Sequence, residues 1–130
     1  MKRAPIRCSI EERGRYKVKL IIAIIQPQRL EDVLRKLDEN EIYLRTVSDA
    51  LGCGRQKGRT EVYRGRKETG GMLKKVRLEI AVNDAFLEPA ISAIMRAART
   101  GNIGDGKVFV VDLEKCFRIR TGEEGSEAIG

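Results

Sequence analysis

From Val18 the chain reads Val-Lys-Leu-Ile-Ile-Ala-Ile-Ile, apolar on both sides of a two-residue period, until Pro27 fixes φ and removes a donor. The pattern predicts a buried strand. Leu30, Val33, Leu34 and Leu37 then recur at i, i+3, i+4 and i+7 with charged residues between them, which predicts a helix over about 29–40. Mixed β-branched and polar residues predict a weaker strand over about 42–51. Val76, Leu78, Ile80 and Val82 alternate with Arg77, Glu79 and Ala81, so a third strand buries one face. Leu87, Ala90, Ile91, Ile94 and Ala98 trace a second helix, with Gly101 where a left-handed cap would end it and Pro89 pointing to an irregular or late start. A fourth strand follows over 108–113. Beyond it, Arg118 and Arg120 alternate with Phe117 and Ile119, which would put both guanidiniums on one face of an extended segment.

Strand, helix, strand, strand, helix, strand is the split βαβ order of an α+β, ferredoxin-like domain, with both helices on one sheet face. The first strand is apolar on its other side too, and self-association would cover it, although Arg77 and Glu79 count against this on the third strand. Residues 52–75 have no period, are punctuated by glycine and are rich in Arg and Lys. They form a loop, and so long a loop in a small domain is usually functional. Residues 1–16 are polar and mostly charged, without helical or strand period, and read as a tail before one domain over 17–130.

At 130 residues, 42% apolar and 35% charged, the chain has the size and content of one globular domain with a heavily charged exterior. A formal charge of +7 favours an anionic partner without choosing among nucleic acid, nucleotide, metabolite and acidic protein. The absence of histidine removes the commonest general base and metal ligand. Cys8, Cys53 and Cys116 are odd in number and widely spaced, the pattern of free thiols. The longest clean apolar stretch, Leu20 to Ile25, is too short to span a bilayer, and no signal-peptide core is evident, so a cytoplasmic location without membrane insertion is expected.

Gly101-Asn-Ile-Gly104-Asp-Gly106-Lys107 has the glycine and lysine spacing of a Walker A loop, but Val108 replaces the Ser or Thr that binds magnesium. It also runs from helix to strand, the reverse of a Walker loop, so a P-loop NTPase is excluded. Glycine backbone and Lys107 still suit a phosphate; the alternative is a tight turn that needs Gly101 alone. Arg118 and Arg120 are planar forks suited to phosphate oxygens, or else belong to a solvated edge strand. Gly52-Cys-Gly-Arg-Gln-Lys-Gly58 is a second glycine-rich basic turn, or a merely flexible loop.

Together these segments resemble the PII family of nitrogen-regulatory signalling proteins from about Lys19 to the C-terminus. The resemblance rests on Gly54-Arg55-Gln56-Lys57-Gly58, Thr60-Glu-Val-Tyr-Arg-Gly65, the Thr100 to Lys107 loop and Arg118-Ile-Arg-Thr-Gly-Glu-Glu124, in order and spacing. It implies a homotrimer with ATP or ADP in clefts between subunits, and a mobile "T-loop" over about 53–75 that contacts an unidentified target protein. Thr46 and Ala81 would take the adenine. Gly54, Arg55, Gln56, Gly104, Asp105, Gly106, Lys107, Arg118, Ile119 and Arg120 would complete the nucleotide site. With magnesium-ATP, 2-oxoglutarate would be held by Gln56, Lys57, Gly58 and Lys75, Gln56 also serving the metal. Such a protein is a sensor rather than an enzyme.

The chain departs from the family at several points. Glu68 stands where well-known members carry a uridylylated tyrosine, and Arg66 where some carry a phosphorylated serine. Asn102 and Gln26 each replace a basic residue, which leaves room for a different anion in place of 2-oxoglutarate. An RNA-binding module shares the element order, but 76–82 offers no aromatic for base stacking. A small-molecule enzyme would rest on Glu61 and Glu79 with neither histidine nor an assembled nucleophile.

Overall fold

The computed structural model describes residues 18–53 and 72–129. Strand β1 (Val18–Ile25) leads through a 3-10 turn at Pro27–Arg29 into helix α1 (Leu30–Glu39). Strands β2 (Thr46–Gly52) and β3 (Leu73–Asn83) precede helix α2 (Asp84–Ala98), and strand β4 (Gly106–Leu113) closes an antiparallel sheet in the order β2-β3-β1-β4. This is the expected ferredoxin-like arrangement.

Both helices pack on one face, where Ile21, Ala23, Ile25, Leu78 and Ile80 meet Val33, Leu37, Ala90 and Ile94 in a sealed core. Each of these apolar side chains contributes roughly 1.5–3 kcal/mol, less for alanine. The opposite face, open in the single chain, carries Leu20, Ile22 and Ile24 on β1, with Phe109 and Val111 beside them on β4. Phe109 and Val111 keep 48% and 45% of their surface exposed, so the predicted second apolar face is present. Arg77 and Glu79 on that face pair with each other, through Nε and Nη2 to Oε2 at 2.9 and 2.8 Å, which reduces the cost of covering them.

Several boundaries differ from expectation. The second strand starts at Thr46 instead of 42, because the preceding residues close α1: the amides of Glu41 and Ile42 donate to the carbonyls of Asp38 and Leu37. Arg45 then donates to the Asp38 carboxylate and the Ile42 carbonyl. This is a Schellman closure with Glu41 at φ 62°, where glycine is usual, and with buried Ile42 over buried Leu37. Glu41→Gly is expected to stabilise the fold by about 0.5–1 kcal/mol by releasing left-handed strain, less the added freedom of the unfolded chain. A urea midpoint that falls would show that the Glu41 side chain contributes more than the strain costs.

The third strand begins at Leu73, not Val76, since the ladder continues until Leu73 faces Gly52. Residues 73–75 therefore belong to the sheet rather than to the loop. Helix α2 starts directly at Asp84 and carries Pro89 inside it. Ala85 and Pro89 are both exposed, so the carbonyl that Pro89 leaves without a donor lies on the solvent side, where the defect is cheapest. Gly101 does have positive φ, at 91°, but the helix ends at Ala98 and Arg99 is already extended. The end is capped instead by Arg29, whose Nε and Nη2 donate to the Ala97 carbonyl at 2.9 and 2.7 Å and place a cation at the negative end of the helix.

Candidate functional site

The loop from Thr100 to Lys107 is folded around one carboxylate. Asp105 Oδ2 accepts from the amides of Thr100 and Gly101 at 2.8 and 2.9 Å, while Oδ1 accepts from the Thr100 hydroxyl at 2.5 Å. Gly101, Gly104 and Gly106 all have positive φ, so the loop bends without Cβ conflict. At Gly106 the constraint is severe: an added Cβ would lie 1.7 Å from the Ile24 carbonyl oxygen.

Burial pushes the Asp105 carboxyl up, but the hydrogen bonds from Thr100 and Gly101, with Arg99 nearby, outweigh it and hold the group below its ordinary value. A depressed carboxyl contributes stability above its unfolded pKa and loses it as pH falls through the folded one. The acid limb of unfolding below about pH 4 is therefore expected to flatten in Asp105→Asn, with the parent more stable near neutrality. Identical acid limbs in a denaturation series would remove Asp105 from this role.

Beside the loop, a cleft of about 420 Å³ is lined by Ile24, Gly52, Cys53, Lys75, Lys107 and Phe109 together with the loop backbone. Lys75 donates to the Gly104 carbonyl at 2.7 Å and so ties β3 to the loop. Lys107, by contrast, is exposed, and its ammonium has no hydrogen-bond or ion-pair partner among the described residues. A cation poised on a glycine turn is the arrangement that receives a phosphate.

The expected site residues converge only in part. Thr46, Lys75, Ala81 and Lys107 all lie on the helix-free face, as the strand registers require. Ala81 and Lys107 are set opposite Leu20 and Ile24, four residues or about 13 Å apart along β1. Arg118, Ile119 and Arg120 are not extended as supposed. The Arg118 amide donates to the Glu123 carbonyl and the Gly122 amide to the Arg118 carbonyl, so residues 118–122 form a tight turn. Arg118 is tethered to the Glu127 carbonyl at 3.3 Å and lies 3.6 Å from Glu123, while Arg120 is exposed at the tip beside fully exposed Ile119. None of these three lines the Lys107 cleft. Gly54, Arg55, Gln56, Lys57 and Gly58 lie outside the described residues.

The spacing of these loops on this fold is that of a known family: the family model "Nitrogen regulatory protein P-II" matches residues 18–123. The chain belongs to the P-II family. The nitrogen regulatory protein P-II of Rhodospirillum rubrum is 50% identical over 112 residues, covering 86% of this chain and 100% of its own length. That of Azospirillum brasilense matches to the same extent, and nitrogen regulatory protein GlnK1 of Methanosarcina mazei is 48% identical over 114 residues, covering 86% and 97%. As a P-II protein the chain is a signal-transduction regulator of nitrogen metabolism. Among the described residues no helix is long and apolar enough to cross a membrane.

One P-II loop feature went unread in the sequence. Thr100 holds Asp105 through both its amide and its hydroxyl, and the Thr-x4-Asp spacing across a glycine turn was the available signal. Ile24 and Phe109 as cleft walls had no local signal, because strand pairing brings them there.

Proposed function

We propose that this P-II protein reads the cell's ATP and ADP by binding either nucleotide in sites shared between the subunits of a homotrimer. The observation that carries the reading is Lys107, an ammonium with no hydrogen-bond or ion-pair partner among the described residues, on a glycine turn whose Gly106 tolerates no side chain. Lys107 and the backbone of Gly104 to Gly106 would hold the phosphates, and Thr46 and Ala81 the adenine, while Arg118 and Arg120 would reach the phosphates from a neighbouring copy. Association would cover Leu20, Ile22, Phe109 and Val111, whose exposure favours it.

Magnesium would arrive with ATP, and 2-oxoglutarate would join it near Lys75, with Gln56, Lys57 and Gly58 at the loop base. Ligand would then select among loop states, and a target protein that prefers one state would respond to a population shift. The role is regulatory, not catalytic, and the working compartment is the cytoplasm. Calorimetric titration with magnesium-ATP, with ADP, and with 2-oxoglutarate in the presence and absence of ATP tests the reading. Binding of 2-oxoglutarate only alongside ATP is the expected outcome; nucleotide binding alone would assign the site to another anion, and no nucleotide binding would refute the proposal.

A further inference from the structure

At one end of the sheet a single side chain bridges two elements that no strand joins. Strand β1 stops at Ile25, which pairs with Val76 of β3 on one side and with Gly106 of β4 on the other. Strand β3 and the chain entering β4 are therefore two strand spacings apart there, roughly 9.5 Å. Beyond Ile25 the chain leaves the sheet for the 3-10 turn at Pro27–Arg29, and a gap opens between them. Lys75, next to Val76 on β3, crosses this gap half-buried and donates to the Gly104 carbonyl at 2.7 Å. Its stem is laid over Gly52, the diagonal neighbour on β2, where an added Cβ would lie 3.4 Å from Lys75 Cγ. An alanine at 52 would touch the stem, and a branched side chain would displace it.

The Thr100 to Lys107 loop needs such a bridge. Asp105 closes the loop on itself through Thr100 and Gly101, which gives it a shape but not a place on the sheet. Gly101 and Gly104 both have positive φ, and without a Cβ at either the peptide planes beside them turn easily. The Gly104 carbonyl carries partial negative charge, and Gly104 lines the cleft that Lys107 faces. A bare carbonyl there repels a phosphate; an ammonium bonded to it offsets the repulsion. Because the peptide unit is planar and trans, holding the oxygen on Lys75 also turns the Asp105 amide to the opposite side and fixes the plane between the two residues.

We propose that Lys75 is the positioning residue of the anion loop, covering the Gly104 carbonyl and setting the loop's place on the sheet before any ligand arrives. Lys107 receives the phosphate; Lys75 determines where the loop presents it. The consequence for affinity, that nucleotide binding depends on Lys75 with no 2-oxoglutarate present, rests on the nucleotide reading above, whereas the positioning does not.

Four variants of the full chain test this. Lys75→Met keeps the stem and removes the ammonium, Lys75→Arg keeps a donor, and Gly52→Val keeps the ammonium but displaces its stem. Lys74→Met removes the same charge one residue away, on the opposite face of β3 and outside the cleft. In ligand-free protein, hydrogen exchange over residues 100–106 is expected to quicken at least about threefold in Lys75→Met and Gly52→Val, and to keep the parent rate within about twofold in Lys75→Arg and Lys74→Met. Magnesium-ATP affinity without 2-oxoglutarate is expected to fall about tenfold in the first two variants and to be largely retained in the others. Weaker ATP binding with unchanged ligand-free exchange overturns the positioning, since Lys75 would then act only by touching the ligand. Quickening in Lys74→Met equal to that in Lys75→Met overturns it too, by assigning the effect to net charge. Quickened exchange with unchanged affinity supports the positioning and overturns its consequence for binding. Absence of ATP binding in the parent refutes the nucleotide reading, and the exchange rates still decide the positioning.

Discussion

Gly106→Ala is expected to destabilise the protein by about 4 kcal/mol or more and to abolish anion binding at the loop, whereas Gly101→Ala is expected to cost only about 1–2 kcal/mol. Both residues have positive φ, 107° and 91°, so both substitutions introduce left-handed strain. The surroundings separate them. At Gly101 nothing lies within 4 Å of an added Cβ, but at Gly106 it would meet the Ile24 carbonyl oxygen at 1.7 Å and carbon at 2.8 Å. Ile24 is backbone in a central strand, pinned between β3 and β4, and cannot retreat without breaking ladder bonds. Relief would come from peeling the first residues of β4 off β1, which carries Lys107 away from the cleft. Urea midpoints for the two variants measure the difference; equal midpoints would mean that the close approach at Gly106 is relaxed in solution.

The same contrast shows what the sequence could and could not reveal. A glycine at 106 was visible as a turn residue, but the reason it admits nothing larger lies in β1, some eighty positions away. Elements whose period comes from one buried face were readable: Leu30, Val33 and Leu37 on α1, and Val76 to Val82 on β3, are buried or half-buried where the pattern put them. Boundaries set by local hydrogen bonding were not. The end of α1 near residue 40 was readable, but Glu41 in a glycine position gave no sign that the residues closing the helix would push the second strand forward to Thr46. Arg29 looked like one more charged residue at the start of a helix, yet its guanidinium caps the other helix, from 68 residues away.

The site was legible to a similar degree. Glycine spacing and Lys107 marked the loop as a candidate phosphate site, and the structure ties that loop to Lys75 through the Gly104 carbonyl, a contact the sequence did not announce. The arginines misled in one respect, since alternation suggested a strand face and the chain instead turns back on itself at Gly122, which has φ 80°. Alternation of two residues is too short to distinguish a strand from a turn flanked by an isolated bridge such as that between Phe117 and Glu124.

That turn motivates the second large effect. Lys107→Ala and Arg120→Ala are each expected to weaken ATP binding by about 1–3 kcal/mol, or roughly 5- to 150-fold, through loss of a charge-assisted phosphate contact. The informative measurement is a mixture. Neither Arg118 nor Arg120 lines the cleft that holds Lys107, so under the reading proposed above a site that uses both would be assembled from two copies. Subunits of Lys107→Ala and Arg120→Ala mixed in equal amounts and allowed to reassemble would then regenerate intact sites wherever an Arg120→Ala cleft faces a Lys107→Ala turn. Random assembly of a cyclic trimer restores about a quarter of the sites to parental affinity. If both residues served the same subunit's nucleotide, every site would keep one lesion and mixing would restore none. A calorimetric stoichiometry near one quarter therefore supports the shared site, and a stoichiometry near zero places Arg120 and Lys107 in one chain or removes Arg120 from the site altogether.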